Sequence, residues 1–221
     1  MKTLHQQRPT TFHLFLFFLP LLIATTASAQ TPASAQSYNQ RANQFLSHGA
    51  TRSAISDYNI ALAFDPTYAE AYYNRGNARM TESDLSGALA DYSRAIDLHP
   101  GLAEAFNNRG NVCKELKEFD DAIADYTKAI QLKPRFALAF NNRGAAFYRK
   151  GQFQNALNDY NRAIQVNSRL PIAYWNRGVL YFVQNRIQEA ERDFDRYLAL
   201  HPEPENTPQK ILADLQRRTQ R

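Results

Sequence analysis

The stretch AEAFNNRGNVCKELKEFDDAIADYTKAIQLKPRF, residues 103–136, recurs along the chain at a fixed spacing of 34 residues. Its Asn-Arg-Gly element is found at Asn74-Arg75-Gly76, Asn108-Arg109-Gly110, Asn142-Arg143-Gly144 and Asn176-Arg177-Gly178. An alanine followed four residues later by an aromatic residue recurs at Ala54/Tyr58, Ala88/Tyr92, Ala122/Tyr126, Ala156/Tyr160 and Ala190/Phe194. A fixed period of this length predicts stacked supersecondary units, each contacting its neighbours.

Apolar and small residues fall at helical spacing twice within each unit, which predicts two antiparallel helices per unit. The break between the two helices is predicted at Gly49, Ser83, Lys117, Gly151 and Asn185. The break between units is marked by Pro66, Pro100, Pro134 and Pro202. Proline lacks a backbone N–H and disfavours the helical conformation of the residue before it, so a helix usually ends there. Because Ser168 stands where a further proline is expected, a looser turn or a continuing helix is predicted there.

These features together resemble the tetratricopeptide repeat family, whose pattern adds an aromatic residue four positions before each glycine, as in Phe106/Gly110. Two residues depart from the pattern: Ala42 replaces the glycine in the first unit, and Tyr197 replaces an alanine in the last. The resemblance implies an all-α, right-handed superhelical solenoid with the first helices on its concave surface. The predicted repeats are residues 35–68, 69–102, 103–136, 137–170 and 171–204.

The N-terminal segment has the features of a secretory signal peptide. Lys2 and Arg8 precede an apolar run at residues 14–24, and the small residues Ala27-Ser28-Ala29 follow it. The run is shorter than the ~20 residues of a membrane span. We therefore expect a signal peptide at residues 1–29, a linker at 30–34 and an exported protein, periplasmic or secreted. A second candidate cleavage site is Ala33-Ser34-Ala35, and a retained anchor is the less favoured alternative.

Composition and motifs disfavour several functional classes. The formal net charge is +5, and removal of Lys2 and Arg8 leaves (26 − 2) − 21 = +3, which does not by itself indicate nucleic-acid binding. The single cysteine, Cys113, excludes an intramolecular disulfide and a cysteine-based metal site. No phosphate-binding loop and no metalloprotease or serine-hydrolase motif is present. We predict a non-enzymatic protein with no metal or cofactor, no nucleic-acid partner and no small-molecule substrate.

Arginine and aspartate recur in matched positions, 16 residues apart, on the two predicted helices of each unit. The pairs are Arg41/Asp57, Arg75/Asp91, Arg109/Asp125, Arg143/Asp159 and Arg177/Asp193. We predict that each arginine braces a unit, or two adjacent units, through a bidentate contact. The alternative is a basic row that binds a ligand.

An asparagine precedes the arginine in four repeats, although asparagine costs up to roughly 0.7 kcal/mol against alanine inside a helix. One hypothesis is an amide ladder that binds the backbone of an extended peptide, as the resemblance to the repeat domain of O-linked N-acetylglucosamine transferases implies. The alternative is that these asparagines cap turns or contact the next helix. The carboxylate clamp that some such repeats use against chaperone C termini is not expected, because Asn141 and Leu138 stand at positions that should hold cations.

The predicted concave surface changes from polar in the first three repeats to apolar in the last two. Either the apolar end anchors a side chain of a bound partner, or a C-terminal helix within residues 205–221 covers it with Ile211, Leu212 and Leu215. The predicted function is a scaffold that binds a protein or peptide segment; the alternative is an assembly subunit of an envelope complex that associates through its apolar C-terminal end. The candidate peptide-binding residues are Asn74, Asn77, Asn107, Asn108, Asn111, Asn141, Asn142, Tyr148, Trp175 and Asn176.

Overall fold

The computed structural model describes residues 34–202 and 206–219, so the predicted signal peptide and linker residues 30–33 lie outside the described residues. The described residues form helices and turns, with no strand. The helices are α1 Ala35–Ser47, α2 Thr51–Phe64, α3 Ala69–Thr81, α4 Leu85–Leu98, α5 Ala103–Glu115, α6 Phe119–Leu132, α7 Ala137–Arg149, α8 Phe153–Val166, α9 Pro171–Val183, α10 Ile187–Leu200 and α11 Pro208–Thr219. The predicted all-α fold is confirmed.

The first ten helices pack as five consecutive pairs, which we number as repeats one to five. Each second helix packs against the first helix of the following repeat. The first helices α1, α3, α5, α7 and α9 also contact one another in that order. Within the described ranges, no comparable contact joins successive second helices. The first helices therefore form one continuous face of the array, which we call the inner face.

The turn inside each repeat uses the left-handed backbone conformation at the predicted residue. The φ angles are 75° at Gly49, 61° at Ser83, 66° at Lys117, 73° at Gly151 and 59° at Asn185. Lys117 adopts this conformation although its side chain disfavours it. The turn is held by the backbone N–H of Glu118, which donates to the Cys113 carbonyl at 2.8 Å. The predicted breaks are confirmed.

The turn between repeats four and five differs from the expectation drawn from Ser168. α8 ends at Val166 and α9 begins at Pro171, so the helix does not continue. The Oδ1 atom of Asn167 accepts a hydrogen bond from the backbone N–H of Arg169 at 3.0 Å. Asp65 makes the same contact with Thr67 at 2.9 Å after repeat one. The expectation of a looser turn or continuing helix was wrong, because an Asx turn holds the chain without proline.

A buried aromatic ring packs beside the repeated glycine in the middle of each of repeats two to five. A Cβ atom built on Gly110 would lie 2.8 Å from the ring of Tyr126, which is fully buried. Only glycine allows the ring of the second helix to come this close to the first helix without a shift. Alanine stands at this position in repeat one, and Tyr58 is buried there too.

The arginines of the matched pairs in repeats two to five each bridge two second helices. The Nε and Nη2 atoms of Arg109 donate to the two oxygens of Asp125 at 2.8 and 2.7 Å, and its Nη1 atom donates to Ser93 of the preceding repeat at 3.2 Å. The same fork joins all five pairs. The predicted bracing contact is confirmed, and these guanidinium groups are engaged within the fold rather than open to a ligand.

The C-terminal helix α11 covers the last repeat. Ile211 and Leu212 are buried and pack with Ala190 and Phe194 of α10. Trp175 of α9 is partly buried against the same cluster. In the part of the chain that the structure describes, no helix combines the length and apolar character needed to cross a membrane.

Candidate functional site

The candidate amides of the inner face hydrogen-bond from one first helix to the preceding one. The Nδ2 atom of Asn142 donates to Asn107 at 3.1 Å and to Asn111 at 3.2 Å. Asn108 donates in the same way to Asn77 at 2.9 Å. The amide of Asn74 donates to Asn39 at 3.3 Å. These side chains join neighbouring repeats, as the alternative to peptide recognition supposed.

Two of the candidate residues are also removed from the surface. Asn107 and Asn141 are only 5% and 3% exposed. The oxygen of Asn141 accepts from Asn176 at 2.9 Å, and the amide of Asn107 donates to its neighbour Asn108 at 3.0 Å. A partner that bound either amide would first have to break these contacts. The candidate amides are therefore not equivalent, and most of them have partners within the array.

The oxygens of Asn77 and Asn111 each accept two hydrogen bonds. The hydroxyl of Tyr92 donates to Asn77 at 2.8 Å, and Tyr126 donates to Asn111 at the same distance. The second donor is the amide of the following repeat, from Asn108 or from Asn142. One asparagine oxygen thus joins a tyrosine of its own repeat to an asparagine of the next.

Repeat four lacks this oxygen because Ala145 stands where repeats one to three have asparagine. The tyrosine and the following asparagine are both retained, as Tyr160 and Asn176. Tyr160 is only 2% exposed, and its hydroxyl makes no hydrogen bond among the described residues. Asn176 keeps only its bond to Asn141. The substitution leaves two hydrogen-bond donors without their shared acceptor.

A cavity of about 610 Å³ lies at this place, between the inner-face helices of repeats three, four and five. It contains three of the candidate residues, Tyr148, Trp175 and Asn176, and the other seven lie outside it. The full lining is Lys114, Glu115, Lys117, Phe119, Ala145, Tyr148, Arg149, Tyr160, Trp175, Asn176 and Val179. A concave site with aromatic walls and a few polar groups is the usual form of a binding pocket.

The charged residues of the cavity are mainly basic. Lys114, Lys117 and Arg149 line it with a single acid, Glu115. Lys114 lies 3.5 Å from Glu115, whereas Lys117 and Arg149 form no ion pair with any described residue. Burial raises the pKa of Tyr160, so its hydroxyl stays protonated and remains a donor at neutral pH. The cavity combines unpaired cations with neutral donors.

Comparison with known families identifies the repeats. A profile described as TPR repeat matches residues 42–82, 110–151 and 146–185. Two profiles described as tetratricopeptide repeat match residues 69–102 and 171–204. These ranges cover more than half of the chain. The chain belongs to the tetratricopeptide repeat family.

Solved tetratricopeptide repeat structures share the fold at low sequence identity. MamA is 23% identical with a TM-score of 0.66, covering 75% of this chain and 91% of that one. YrrB, described as a TPR protein with an unusual peptide-binding site, is 22% identical with a TM-score of 0.64, covering 83% and 92%. PilF of Pseudomonas aeruginosa is 20% identical with a TM-score of 0.71, covering 84% and 86%. No curated protein matches the chain.

Trp175 forms the boundary between the cavity and the C-terminal cap of the tetratricopeptide repeat array. Its ring lies 5.4 Å from Phe194 and 5.1 Å from Tyr197, measured between ring centroids. On its other side, Trp175 and Tyr197 line a smaller cavity of about 190 Å³ beneath α11. The cap therefore covers part of the predicted apolar surface and leaves the cavity of repeats three to five open. The predicted cover by a C-terminal helix is confirmed for the part of that surface beneath α11, and anchoring of a partner's side chain stays a prediction for the rest.

Eight of the eleven residues that line this tetratricopeptide repeat cavity were not among the predicted site residues: Lys114, Glu115, Lys117, Phe119, Ala145, Arg149, Tyr160 and Val179. The sequence contained a sign of this site. Repeats one to three have Asn43, Asn77 and Asn111 at one position, whereas repeat four has alanine there and keeps the tyrosine of the repeat. Lys117 lies in the turn after α5 and Arg149 is the last residue of α7, so the directions of both side chains depend on the turns.

The remaining chemistry-bearing residues lie away from the cavity or are buried. Burial raises the pKa of the Cys113 thiol to about 11, so it is a weak nucleophile at neutral pH. Among the described residues, no three histidine, cysteine or acidic side chains are grouped closely enough to hold a metal ion. His48, His99 and His201 follow the last residues of α1, α4 and α10.

Proposed function

We propose that this chain is a non-enzymatic protein-interaction scaffold that binds an extended segment of a partner protein along the inner face of repeats three to five. The cavity between α5, α7 and α9 is the observation that supports this proposal most directly. It offers aromatic and aliphatic surface in Tyr148, Trp175 and Val179 beside unpaired cations. Surface of this kind usually marks a site of protein association.

The inner face beside the cavity also supports an extended partner. Leu138 and Ile172, equivalent residues of repeats four and five, are 46% and 41% exposed. They lie near the N-termini of α7 and α9, whereas Tyr148 lies near the C-terminus of α7. At 1.5 Å per residue the apolar side chains span about 15 Å of the helix axis, the length of roughly five residues of extended chain. YrrB, described as having an unusual peptide-binding site, provides an analogy for peptide binding on this fold.

The alternative function, assembly through an apolar C-terminal end, has less support. The apolar residues of that end pack beneath α11, where Ile211 and Leu212 are each 6% exposed. A partner that used this surface would have to displace the helix. We therefore favour the inner face over the C-terminal end as the interaction site.

Export of the chain is part of the same proposal and is based on its N-terminal sequence. Cleavage after Ala29 would leave Ser34, the N-cap of α1, in the mature protein. The Ser34 hydroxyl accepts from the backbone N–H of Ser37 at 3.1 Å, and the Ser37 hydroxyl accepts from the backbone N–H of Ser34 at 3.0 Å. Cleavage after Ala35 would remove this capping box, so we favour the earlier site.

Site-specific photocrosslinking tests where a partner binds. A photoreactive phenylalanine analogue would replace Leu138 on the inner face or, as a matched control, the exposed Lys128 on the second helix of repeat three. We expect a defined partner to crosslink at position 138 and not at position 128 in native envelope material. The captured partner, once purified, should bind the full chain in calorimetry. Equal crosslinking at both positions would contradict inner-face binding.

A further inference from the structure

The cavity contains a specific vacancy, because repeat four keeps two donors and has lost their acceptor. In repeats two and three the acceptor is an asparagine oxygen that lies 2.8 Å from a tyrosine hydroxyl and 2.9 or 3.2 Å from the amide of the next repeat. Tyr160 and Asn176 occupy the same register positions, and both line the cavity. The repeated geometry therefore places the missing oxygen inside the cavity, beside the methyl group of Ala145.

We infer that this vacancy receives a side-chain carboxylate oxygen from an aspartate or glutamate of the partner, which accepts hydrogen bonds from the Tyr160 hydroxyl and the Asn176 amide. The inference rests on the proposed function, since it names the chemistry recognised at the same cavity. The recognised segment carries an acidic residue next to an aromatic or large aliphatic residue.

The Tyr160 hydroxyl is the observation that requires an acceptor. Tyr160 is only 2% exposed, and no described side chain accepts a hydrogen bond from its hydroxyl. Every side-chain polar atom that is fully buried in the described residues has a hydrogen-bond partner. Because the Tyr160 hydroxyl has none, it is not fully buried and is exposed to the cavity that Tyr160 lines. Buried donors are normally hydrogen-bonded, and a donor left facing a cavity is satisfied by water or by a ligand atom.

The charge of the cavity favours a carboxylate over a neutral carbonyl or amide oxygen. Three cations, Lys114, Lys117 and Arg149, line the cavity with one acid, Glu115, and two of these cations have no ion-pair partner among the described residues. A charged acceptor also forms stronger hydrogen bonds with the same donors. These cations lie at the end of α5, in the turn after it and at the end of α7.

The apolar side of the cavity determines which kind of residue the partner carries beside its acidic residue. Trp175 and Val179 of α9 line the cavity next to Asn176, and Tyr148 lines it from α7. The rings of Tyr148 and Phe153 lie 5.6 Å apart between centroids, which gives that wall a fixed support. A large apolar side chain would bury its surface here, while its acidic neighbour reaches the two donors.

The substitution Ala145→Asn provides a direct test, because it restores the side chain that repeats one to three carry at this position. We expect this variant to fold with a melting temperature at least equal to that of the native chain. The probe is a phage-displayed library of random dodecapeptides, selected on the immobilised full chain and on the variant. Peptides selected on the native chain should contain an acidic residue beside an aromatic or aliphatic one, and should bind the variant at least tenfold more weakly.

The outcomes separate the inference from the proposed function. Peptides that bind the native chain and the Ala145→Asn variant equally, or that lack acidic residues, would overturn the inference and leave inner-face binding intact. Selection of no peptide would contradict both. Peptides that block crosslinking at position 138 but bind the Ala145→Asn variant as tightly as the native chain would also overturn the inference and leave the proposed function intact.

A second variant keeps the test independent of how Ala145→Asn folds. Tyr160→Phe removes only the hydroxyl that has no acceptor among the described residues. We expect it to lower the affinity for a selected acidic peptide by about tenfold. Tyr126→Phe is the matched control and should leave the affinity unchanged. Trp175 is the only tryptophan of the chain, so its fluorescence reports binding directly. Replacing the peptide's acid with its amide should make the loss of affinity on Tyr160→Phe smaller, because a neutral amide oxygen accepts a weaker hydrogen bond than a carboxylate. A loss of equal size for the acid and the amide would contradict the carboxylate assignment.

Discussion

Tyr126 and Tyr160 occupy equivalent buried positions but differ in the hydrogen bonding of their hydroxyls. Tyr126 donates to Asn111 at 2.8 Å, whereas Tyr160 has no described acceptor. We predict that Tyr126→Phe lowers the free energy of unfolding by about 1 kcal/mol, the usual net value of one hydrogen bond. Tyr160→Phe should change it by less than about 0.5 kcal/mol, because only a solvated group is removed. Urea titration followed by circular dichroism measures both, and equal losses would contradict the assignment.

At the residue scale, the arginine contacts could be predicted from the sequence and the amide contacts could not. Arg109 and Asp125 lie on two helices joined by a short turn, so their constant spacing fixes their approach. The partner of Asn142 lies in another repeat and depends on how neighbouring repeats rotate against each other. The role of Tyr160 follows from the absence of a side chain at Ala145. The missing acceptor can be recognised only from the structure, which places Ala145, Tyr160 and Asn176 of three different helices around one cavity.

At the element scale, the helix positions followed from periodicity and turn residues. The predicted repeats begin at the first residues of α1, α3, α5, α7 and α9. The turn after α8 was not predictable by the proline rule, because Asn167 holds it through a side-chain contact. The C-terminal helix was predictable from its apolar stripe, but the extent of its cover over Trp175 was not, since that depends on where the chain returns.

The packing of α11 makes a testable prediction about the cap. Leu212 is 6% exposed in the cluster with Phe194. Leu212→Ala should lower the free energy of unfolding by about 2 kcal/mol, the low end for a buried leucine, because a terminal helix can adjust around the lost volume. The emission of Trp175 should shift to longer wavelength as α11 loosens. The exposed Gln209→Ala is the matched control, and a Leu212→Ala variant that behaves like it would show that α11 contributes no cover.

At the scale of the whole array, both ends differ from the interior in ways that stop further stacking. Repeats two to five have fully buried alanine at the positions of Ala71, Ala105, Ala139 and Ala173, and the equivalent residue of α1 is Ser37. Gln44 likewise replaces residues that are fully buried in later repeats. A polar outer face is typical of a terminal repeat. With α11 covering the other end, neither end of the described array presents the fully buried packing surface of an interior repeat.

The buried tyrosines of repeats one to four link the stability of the array to alkaline pH. Burial raises the pKa of Tyr58 to about 12, and it also raises the pKa values of Tyr92, Tyr126 and Tyr160. The folded state keeps these four protons, whereas the unfolded chain releases them near pH 10. Their contribution is therefore complete below pH 10. Above pH 10 the free energy of unfolding falls by about 1.4 kcal/mol per pH unit for each tyrosine, or roughly 5.5 kcal/mol per pH unit for the four together.

We accordingly predict cooperative loss of helix between about pH 10 and 12, together with the appearance of tyrosinate absorbance from the buried rings. Circular dichroism and ultraviolet absorbance, recorded on the same samples, measure the two events. The variant Tyr92→Phe removes one of the four groups, so its stability should fall less steeply with pH. Tyrosinate formation by all tyrosines at pH 10 with the helices intact would contradict burial as the cause, because ionised rings would then be tolerated between the helices.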